Sequence, residues 1–378
     1  KVCARLKLIG HGRRLHCEIV KKGYNIDPFV GSSLLEMYAK TSLPNEARIV
    51  FDELTARDIV VWTALIQGYV NHGLGKKALQ YFERMKSKGV YPDIVTFVCG
   101  LQSCSCIGDI DKGLQIHIDM AKHGIDTDRL AGNSLVDMYA KLGLLEEASC
   151  VFEKVLTHDV VSWNTLIHGF AEQGMIEDAV NCFQQMQQEG LCPDEFSWSI
   201  LVHGYMEQEE TEEAFKIYAQ MKEQGIEPNN SILANLLASC GSKAALQSGK
   251  ILHSQIIGPY LVDAVEINLA TNLIDMYGRC GSLEDAWVVF EANPNRDIVM
   301  WGAMIAVLVQ HGHFFPALEL FTRMQSQTIP PNRAILLSIL KACHHNGTMI
   351  CAMKLHKLIV ETGQDSDVII GNALVDLY

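Results

Sequence analysis

Four cysteine–histidine pairs in this chain are each 13 residues apart: Cys3 with His16, Cys104 with His117, Cys240 with His253 and Cys343 with His356. Thiolate and imidazole are zinc ligands, but a structural zinc takes four, and each pair supplies two, with other segments between one pair and the next. Recurrent helix packing is the better reading, and no metal or other cofactor is expected. A second set recurs more widely. Asp or Asn stands at Asp27, Asp58, Asp93, Asp128, Asp159, Asp194, Asn229, Asp297, Asn332 and Asp367, with Glu266 departing, and about thirty residues before members of that column stand Ser32, Thr63, Asn133, Asn164, Ser199 and Thr271. Carboxylates accept hydrogen bonds, while amides and hydroxyls both donate and accept, so two such columns are suited to reading the edges of a ligand. With no Walker loop, no G-x-S-x-G and no paired acid/base constellation, the chemistry is recognition and no enzyme is expected.

The columns arise from internal repetition. One phrase reads SSLLEMYAK from Ser32, NSLVDMYAK from Asn133, TNLIDMYGR from Thr271 and NALVDLY from Asn372. Another reads VVWTALIQGYVNHG from Val60, VVSWNTLIHGFAEQG from Val160 and IVMWGAMIAVLVQHG from Ile298. Cutting after the recurrent acid or amide gives standard units 59–93, 160–194, 195–229 and 298–332, all of 35 residues, and short units 28–58, 129–159 and 267–297 of 31. Long units 94–128, 230–266 and 333–367 have 35, 37 and 35 residues. Ten complete units fill 28–367, after a partial long unit at 1–27 and before the start of a short one at 368–378. Both ends interrupt a unit, so the chain reads as a piece of a longer tract.

Within 160–194, Trp163, Leu166, Ile167 and Phe170 carry the i, i+3, i+4, i+7 spacing of one apolar helix face. Gly174 breaks the run, Ala179, Phe183 and Met186 resume it, and Gly190 with Pro193 ends it. Each unit is therefore a helical hairpin. A hairpin this short buries its stripe only by stacking on its neighbours, which makes the fold class all-α, a solenoid held by nearest-neighbour interfaces.

Composition agrees with an ordinary folded chain: 378 residues, 48% apolar, 8% aromatic and 20% charged. With 31 Lys and Arg against 44 Asp and Glu, the net charge of −13 argues against a basic nucleic-acid binder. The twelve cysteines form no C-x-x-C pair, so free thiols in a reducing compartment are expected. No apolar run approaches a membrane span of roughly 18 residues. The opening KVCARLKLIGHG has neither an apolar signal core nor a Ser/Arg-rich presequence, so any address is absent or lies outside this chain.

The VVSWNTLI, A-x-x-x-F-x-x-M and G-x-x-P-D elements resemble the pentatricopeptide repeat, and the alternation of standard, long and short units resembles the PLS subclass of land plants. The resemblance covers nearly the whole chain. It implies a right-handed superhelix that binds single-stranded RNA in mitochondria or chloroplasts, one nucleotide per repeat. The tetratricopeptide repeat, a protein-binding alternative of 34 residues, fits neither the 31-residue units nor the Pro-Asp endings.

On a helical wheel with Trp163 at zero, the packing stripe spans roughly 300 to 40 degrees, while Asn164 falls at about 100 and Val161 at about 160. The second place of a unit, where Val161 stands, holds Phe29, Val60, Val95, Leu130, Phe196 and Val299 elsewhere. Contact with the adjacent repeat would explain these apolar residues; the resemblance favours clamping the flat face of a base. The fifth place holds the Ser, Thr and Asn column in standard and short units, Gly302 excepted, whereas long units place Val98, Ala234 and Leu337 there. The last-place Asp or Asn is expected to cap the next helix, worth about 1 kcal/mol, with base reading added to it.

Asp, accepting only, suits guanine and uracil, whose ring nitrogens carry a proton; Asn also donates, which suits adenine and cytosine. A short hydroxyl at the fifth place leaves space for a purine, and the longer Asn reaches a pyrimidine. This agrees with the code the family is known for. Ser32 with Asp58 suggests G weakly, Thr63 with Asp93 G, Asn133 with Asp159 and Asn164 with Asp194 U, Ser199 with Asn229 A, and Thr271 with Asp297 G. The expected target is 5′-(G)-G-N-U-U-A-N-G-N-N, the protein N-terminus facing the RNA 5′ end as in the family.

Lys40, Lys141 and Arg279 share the thirteenth place of the three complete short units and are candidate phosphate contacts, or cations favoured by the helix C-terminal dipole. Members of the subclass often act in organellar C-to-U editing by a zinc deaminase with H-x-E and P-C-x-x-C elements. His16-Cys17-Glu18 matches the first by coincidence, inside a long unit, and the second is missing. The resemblance thus implies an RNA-recognition tract that positions an editing activity, with organellar RNA and editing or other RNA-processing factors as partners. An RNA-binding factor for splicing or transcript stability, or a helical scaffold for proteins, are the alternatives.

Overall fold

In the computed structural model, residues 9–24, 27–41, 43–54, 56–241, 245–257, 267–346 and 349–377 are described; Cys3, Glu266 and Tyr378 lie outside them. The described residues form 22 α-helices and no strand. The chain divides into two compact units, Lys1–Gly204 and Tyr205–Tyr378. Within each, consecutive helices pack as hairpins and the first helix of one hairpin packs on the first helix of the next.

Val160–Glu172 and Ile176–Gln188 show how the sequence makes a hairpin. Asp159 accepts from the Ser162 backbone N–H at 2.9 Å while Ser162 Oγ accepts from the Asp159 N–H, a capping box that starts the first helix. Trp163, Leu166 and Ile167 are buried against Ala179, Phe183 and Met186 of the second helix's stripe. The turn between the helices closes on Gly174 at φ 76° and the second helix ends on Gly190 at φ 82°, both left-handed. First helices approach closely at Gly169, where an added Cβ would stand 2.5 Å from the Ala140 Cβ. Gly68 meets Ala39 in the same way at 2.8 Å.

Two side-chain joints recur between hairpins. At the end of short units a cationic or imidazole side chain stacks on a phenylalanine and binds the last carbonyls of the second helix. Arg57 lies 4.8 Å from the Phe51 ring centre and donates to the Phe51 carbonyl at 3.0 Å. His158 stacks on Phe152 at 4.0 Å and donates to its carbonyl, and Arg296 repeats the arrangement on Phe290. Each phenylalanine meets the next unit's tryptophan edge-on, Trp62, Trp163 or Trp301.

The second joint takes up the histidines of the long units. His16 Nδ1 lies 2.8 Å from the Tyr38 hydroxyl, His117 2.6 Å from Tyr139 and His253 2.8 Å from Tyr277. Burial pushes Tyr139 and Tyr277 up to about 12 and holds His117 and His253 below their ordinary value, so the bond joins an un-ionised phenol to a neutral imidazole. The cysteines that share the 13-residue spacing are core residues: Cys104, Cys240 and Cys343 are buried, and burial lifts the Cys104 thiol to about 12. Among the described residues no three His, Cys, Asp or Glu side chains stand close enough to hold a metal ion. No described helix is long and apolar enough to cross a membrane.

Candidate nucleic-acid interface

The first helices present one face to solvent, and the second-place residues stand on it. Phe29, Val60, Val95, Leu130, Val161, Phe196 and Val299 are 47–81% exposed. They are therefore not core residues, though Phe196 also stacks on His168 of the preceding repeat at 6.4 Å. Ile369, in the same place of the segment that opens at 368, is also half exposed. Sequence reasoning omitted it, although the register points to it.

The acid and amide column caps helices throughout. Asp27, Asp58, Asp93, Asp128, Asp159, Asp194, Asn229, Asp297, Asn332 and Asp367 each accept from a backbone N–H two or three residues on, at 2.8–3.2 Å. In each case Oδ1 does the capping; Asp159 Oδ2 pairs with Arg129 and Asp367 Oδ2 with Arg333. Asp194 is held below the usual carboxylate range: burial raises it, but the Ser197 and Phe196 N–H groups, the Ser197 hydroxyl and the Asn164 amide outweigh that. Asp159 is lowered likewise against its own desolvation, by bonds from Ser162 and by the Arg129 guanidinium, which pairs with it.

Fifth-place side chains sit beside these caps. Asn164 Nδ2 donates to Asp194 Oδ1 at 3.0 Å, and Asn164 is buried in that contact. Thr63 Oγ1 lies 2.7 Å from Thr96 Oγ1, which donates to Asp93 Oδ1 at 2.6 Å. Ser32 and Thr271 donate instead to carbonyls of their own helices, Phe29 and Ile267. Asn133 and Ser199 are half buried on the same face. The third-place hydroxyls Thr96, Ser162 and Ser197 were not anticipated; the signal was a hydroxyl where other units carry Val30, Val61, Ala131, Ile232, Met300 and Ile335.

In the first unit Phe29, Ser32, Lys40, Val60, Thr63, Asp93 and Val95 line one open groove of about 490 Å³. It joins three exposed apolar side chains, the hydroxyls Ser32 and Thr63 and one capping acid, Asp93. In the second unit Leu337, Lys341, His344 and Asp376 line a groove of about 410 Å³ on the same helix face, where the fifth-place residue is apolar. The three aligned cations lie at the edge of this face but are engaged. Lys40 pairs with Glu36 at 2.6 Å and Lys141 with Asp137 at 2.9 Å, one turn earlier. Arg279 donates to the Ala238 carbonyl at 2.7 Å.

The PPR repeat family profile matches residues 57–106, 158–207 and 193–231, and the PPR repeat profile matches 133–160, 270–292 and 299–329. A chloroplastic pentatricopeptide repeat-containing protein of Arabidopsis thaliana is 29% identical over 100% of this chain and 39% of its own length. A mitochondrial one is 32% identical over 92% of this chain and 56% of its own. The chain thus spans about two-fifths to just over half of these relatives. The crystal structure of the maize pentatricopeptide repeat protein PPR10 superposes with a TM-score of 0.63 at 21% identity, covering 99% of this chain and 54% of that one. With repeat profiles along its length, relatives of the same name and the same helical-repeat fold, the chain belongs to the pentatricopeptide repeat family.

Proposed function

We propose that this chain recognises single-stranded RNA base by base, with the target 5′-(G)-G-N-U-U-A-N-G-N-N. The observation that carries the reading is the groove through Phe29, Ser32, Val60, Thr63, Asp93 and Val95. Exposed apolar side chains suit the faces of bases, and the capping acids with their neighbours suit base edges. The apolar second-place residues Phe29, Val60, Val95, Leu130, Val161, Phe196 and Val299 sandwich bases, the fifth and last places of standard and short units read them, and the long units, lacking a polar fifth place, read none by this route. The reading is supported by maize PPR10, a family member solved in complex with an 18-nt psaJ RNA element.

The setting is organellar, as the names of the chloroplastic and mitochondrial relatives support. Within a longer protein the chain serves as the recognition tract of a C-to-U editing factor, supported by the alternation of standard, long and short units. It binds rather than catalyses, and the chemistry falls to a deaminase carried or recruited by the whole protein. Selection of bound RNA from a random pool tests the reading. Recovery of G, U, U, A and G at the stated spacing is expected; enrichment of an unrelated motif, or of none, overturns it.

A further inference from the structure

Three repeats carry a hydroxyl at the third place, directly behind the reading pair of the repeat before. Thr96 and Ser197 touch that pair on both sides, and the chemistry of their partners fixes which way each hydrogen bond runs.

At Thr63 the direction follows from Asp93. A carboxylate only accepts, so the Thr96 proton goes to Asp93 Oδ1 at 2.6 Å. Thr96 Oγ1 then accepts from Thr63 Oγ1 at 2.7 Å. Thr63 has committed its one proton inward and offers the groove only lone pairs. Guanine presents N–H donors where adenine presents a ring-nitrogen acceptor, so an acceptor-only Thr63 favours guanine.

At Asn164 the hydroxyl orients an amide. Ser197 Oγ lies 2.6 Å from Asn164 Oδ1 and 2.9 Å from Asp194 Oδ1, its one proton serving the shorter contact, while Asn164 Nδ2 donates to Asp194 Oδ1 at 3.0 Å. A flipped amide would set its oxygen against the Asp194 carboxylate. Nδ2 carries a second hydrogen, a donor that a uracil carbonyl accepts and the cytosine amine does not.

We propose that Thr96 and Ser197 are specificity-positioning residues, which set the donor and acceptor directions at Thr63 and Asn164 and so sharpen the choice of G at the second nucleotide and U at the fifth. The proposal rests on the base-by-base reading above. Ser162 is the internal comparison: its hydroxyl meets its capping acid, Asp159, at 3.0 Å as Ser197 meets Asp194 at 2.9 Å, but Ser162 is not hydrogen-bonded to Asn133 as Ser197 is to Asn164.

The test measures affinities of the 378-residue chain for oligonucleotides of the stated target that vary at one nucleotide. Thr96→Val should lower the G-over-A ratio at the second nucleotide, and Ser197→Ala the U-over-C ratio at the fifth, each roughly fivefold. Thr96→Ser and Ser197→Thr keep the hydroxyl and should restore the ratios, while Ser162→Ala should leave U-over-C at the fourth nucleotide unchanged. A ratio between two oligonucleotides does not depend on the folded fraction, so destabilised variants cannot mimic the effect. A selective wild type whose Thr96→Val and Ser197→Ala variants keep full selectivity overturns this proposal alone. A wild type indifferent to base at both positions overturns it together with the reading it rests on.

Discussion

Asn164 and Asp194, thirty residues apart and at the fifth and last places of one unit, are hydrogen-bonded to each other through Nδ2 and Oδ1 at 3.0 Å. The same Asp194 oxygen caps the helix Glu195–Glu207 through the Ser197 N–H at 2.9 Å. Capping and reading are therefore compatible in one carboxylate: the cap holds Oδ1 and fixes where Oδ2 points. A side chain already immobilised by the fold loses little further freedom on binding a base.

The sandwich column should separate affinity from stability. Phe196 is more than half exposed, between the Asn164 and Ser199 readers in the chain, and contributes little to the core. Phe196→Ala is expected to weaken RNA binding by about 1–3 kcal/mol, the usual loss when a stacking ring is truncated. Its melting temperature should stay near that of the wild type, as for an exposed substitution changing stability by about 0.5 kcal/mol or less. Filter binding and a thermal melt check both; a large stability loss with unchanged affinity would place Phe196 in the core instead.

Binding should depend weakly on salt. The net charge is −13, and Lys40 and Lys141 are already paired with Glu36 and Asp137. If the three aligned cations neutralise three phosphates, log K against log salt has a slope of about −2, at roughly −0.7 per phosphate on single strands. Glu36→Gln with Asp137→Asn frees both lysines and should raise affinity at low salt. A wild-type slope of about −5 or steeper would show phosphate contacts that these residues do not supply.

The His–Tyr joints make stability fall in acid. Burial lowers His117 and His253 below 6.5, so the unfolded chain takes up protons that the folded chain refuses. Stability is full above about 6.5 and declines as pH falls through the unfolded value toward the folded ones. Melting temperatures at pH 7.5 and 5.5 should drop more in the wild type than in the double variant His117→Gln, His253→Gln. Equal drops would mean that other groups carry the acid sensitivity.

What could be read in the chain and what could not divides on physical lines. The helices and their ends are written locally, in the Trp163, Leu166, Ile167 spacing and in Gly174 and Gly190, because a stripe and a left-handed turn each need particular residues nearby. The caps were legible for the same reason. The His117–Tyr139 bond was not, since it joins side chains 22 residues apart on different hairpins, and the 13-residue Cys–His spacing pointed to packing without naming the phenol partner. The pairing of Lys40 with Glu36 was open to an i, i+4 reading and was overlooked behind the idea of a phosphate contact. The exposure of Val60 and Val95 depends on how first helices are arranged in three dimensions, which a single-helix wheel does not contain. Thr96 and Ser197 look like weak core residues until their partners on the preceding repeat are seen.

The most direct measurement is the affinity of the wild type and of Asp194→Asn for four oligonucleotides that differ only at the fifth nucleotide. Asp194 accepts and cannot donate, while Asn at the same place does both, and it can still cap as Asn229 and Asn332 do. The wild type is expected to prefer U and the variant to shift toward C at that nucleotide alone, with the other positions unaffected. An unchanged preference in the variant, or a wild type that binds all four equally, would contradict base reading by Asn164 and Asp194.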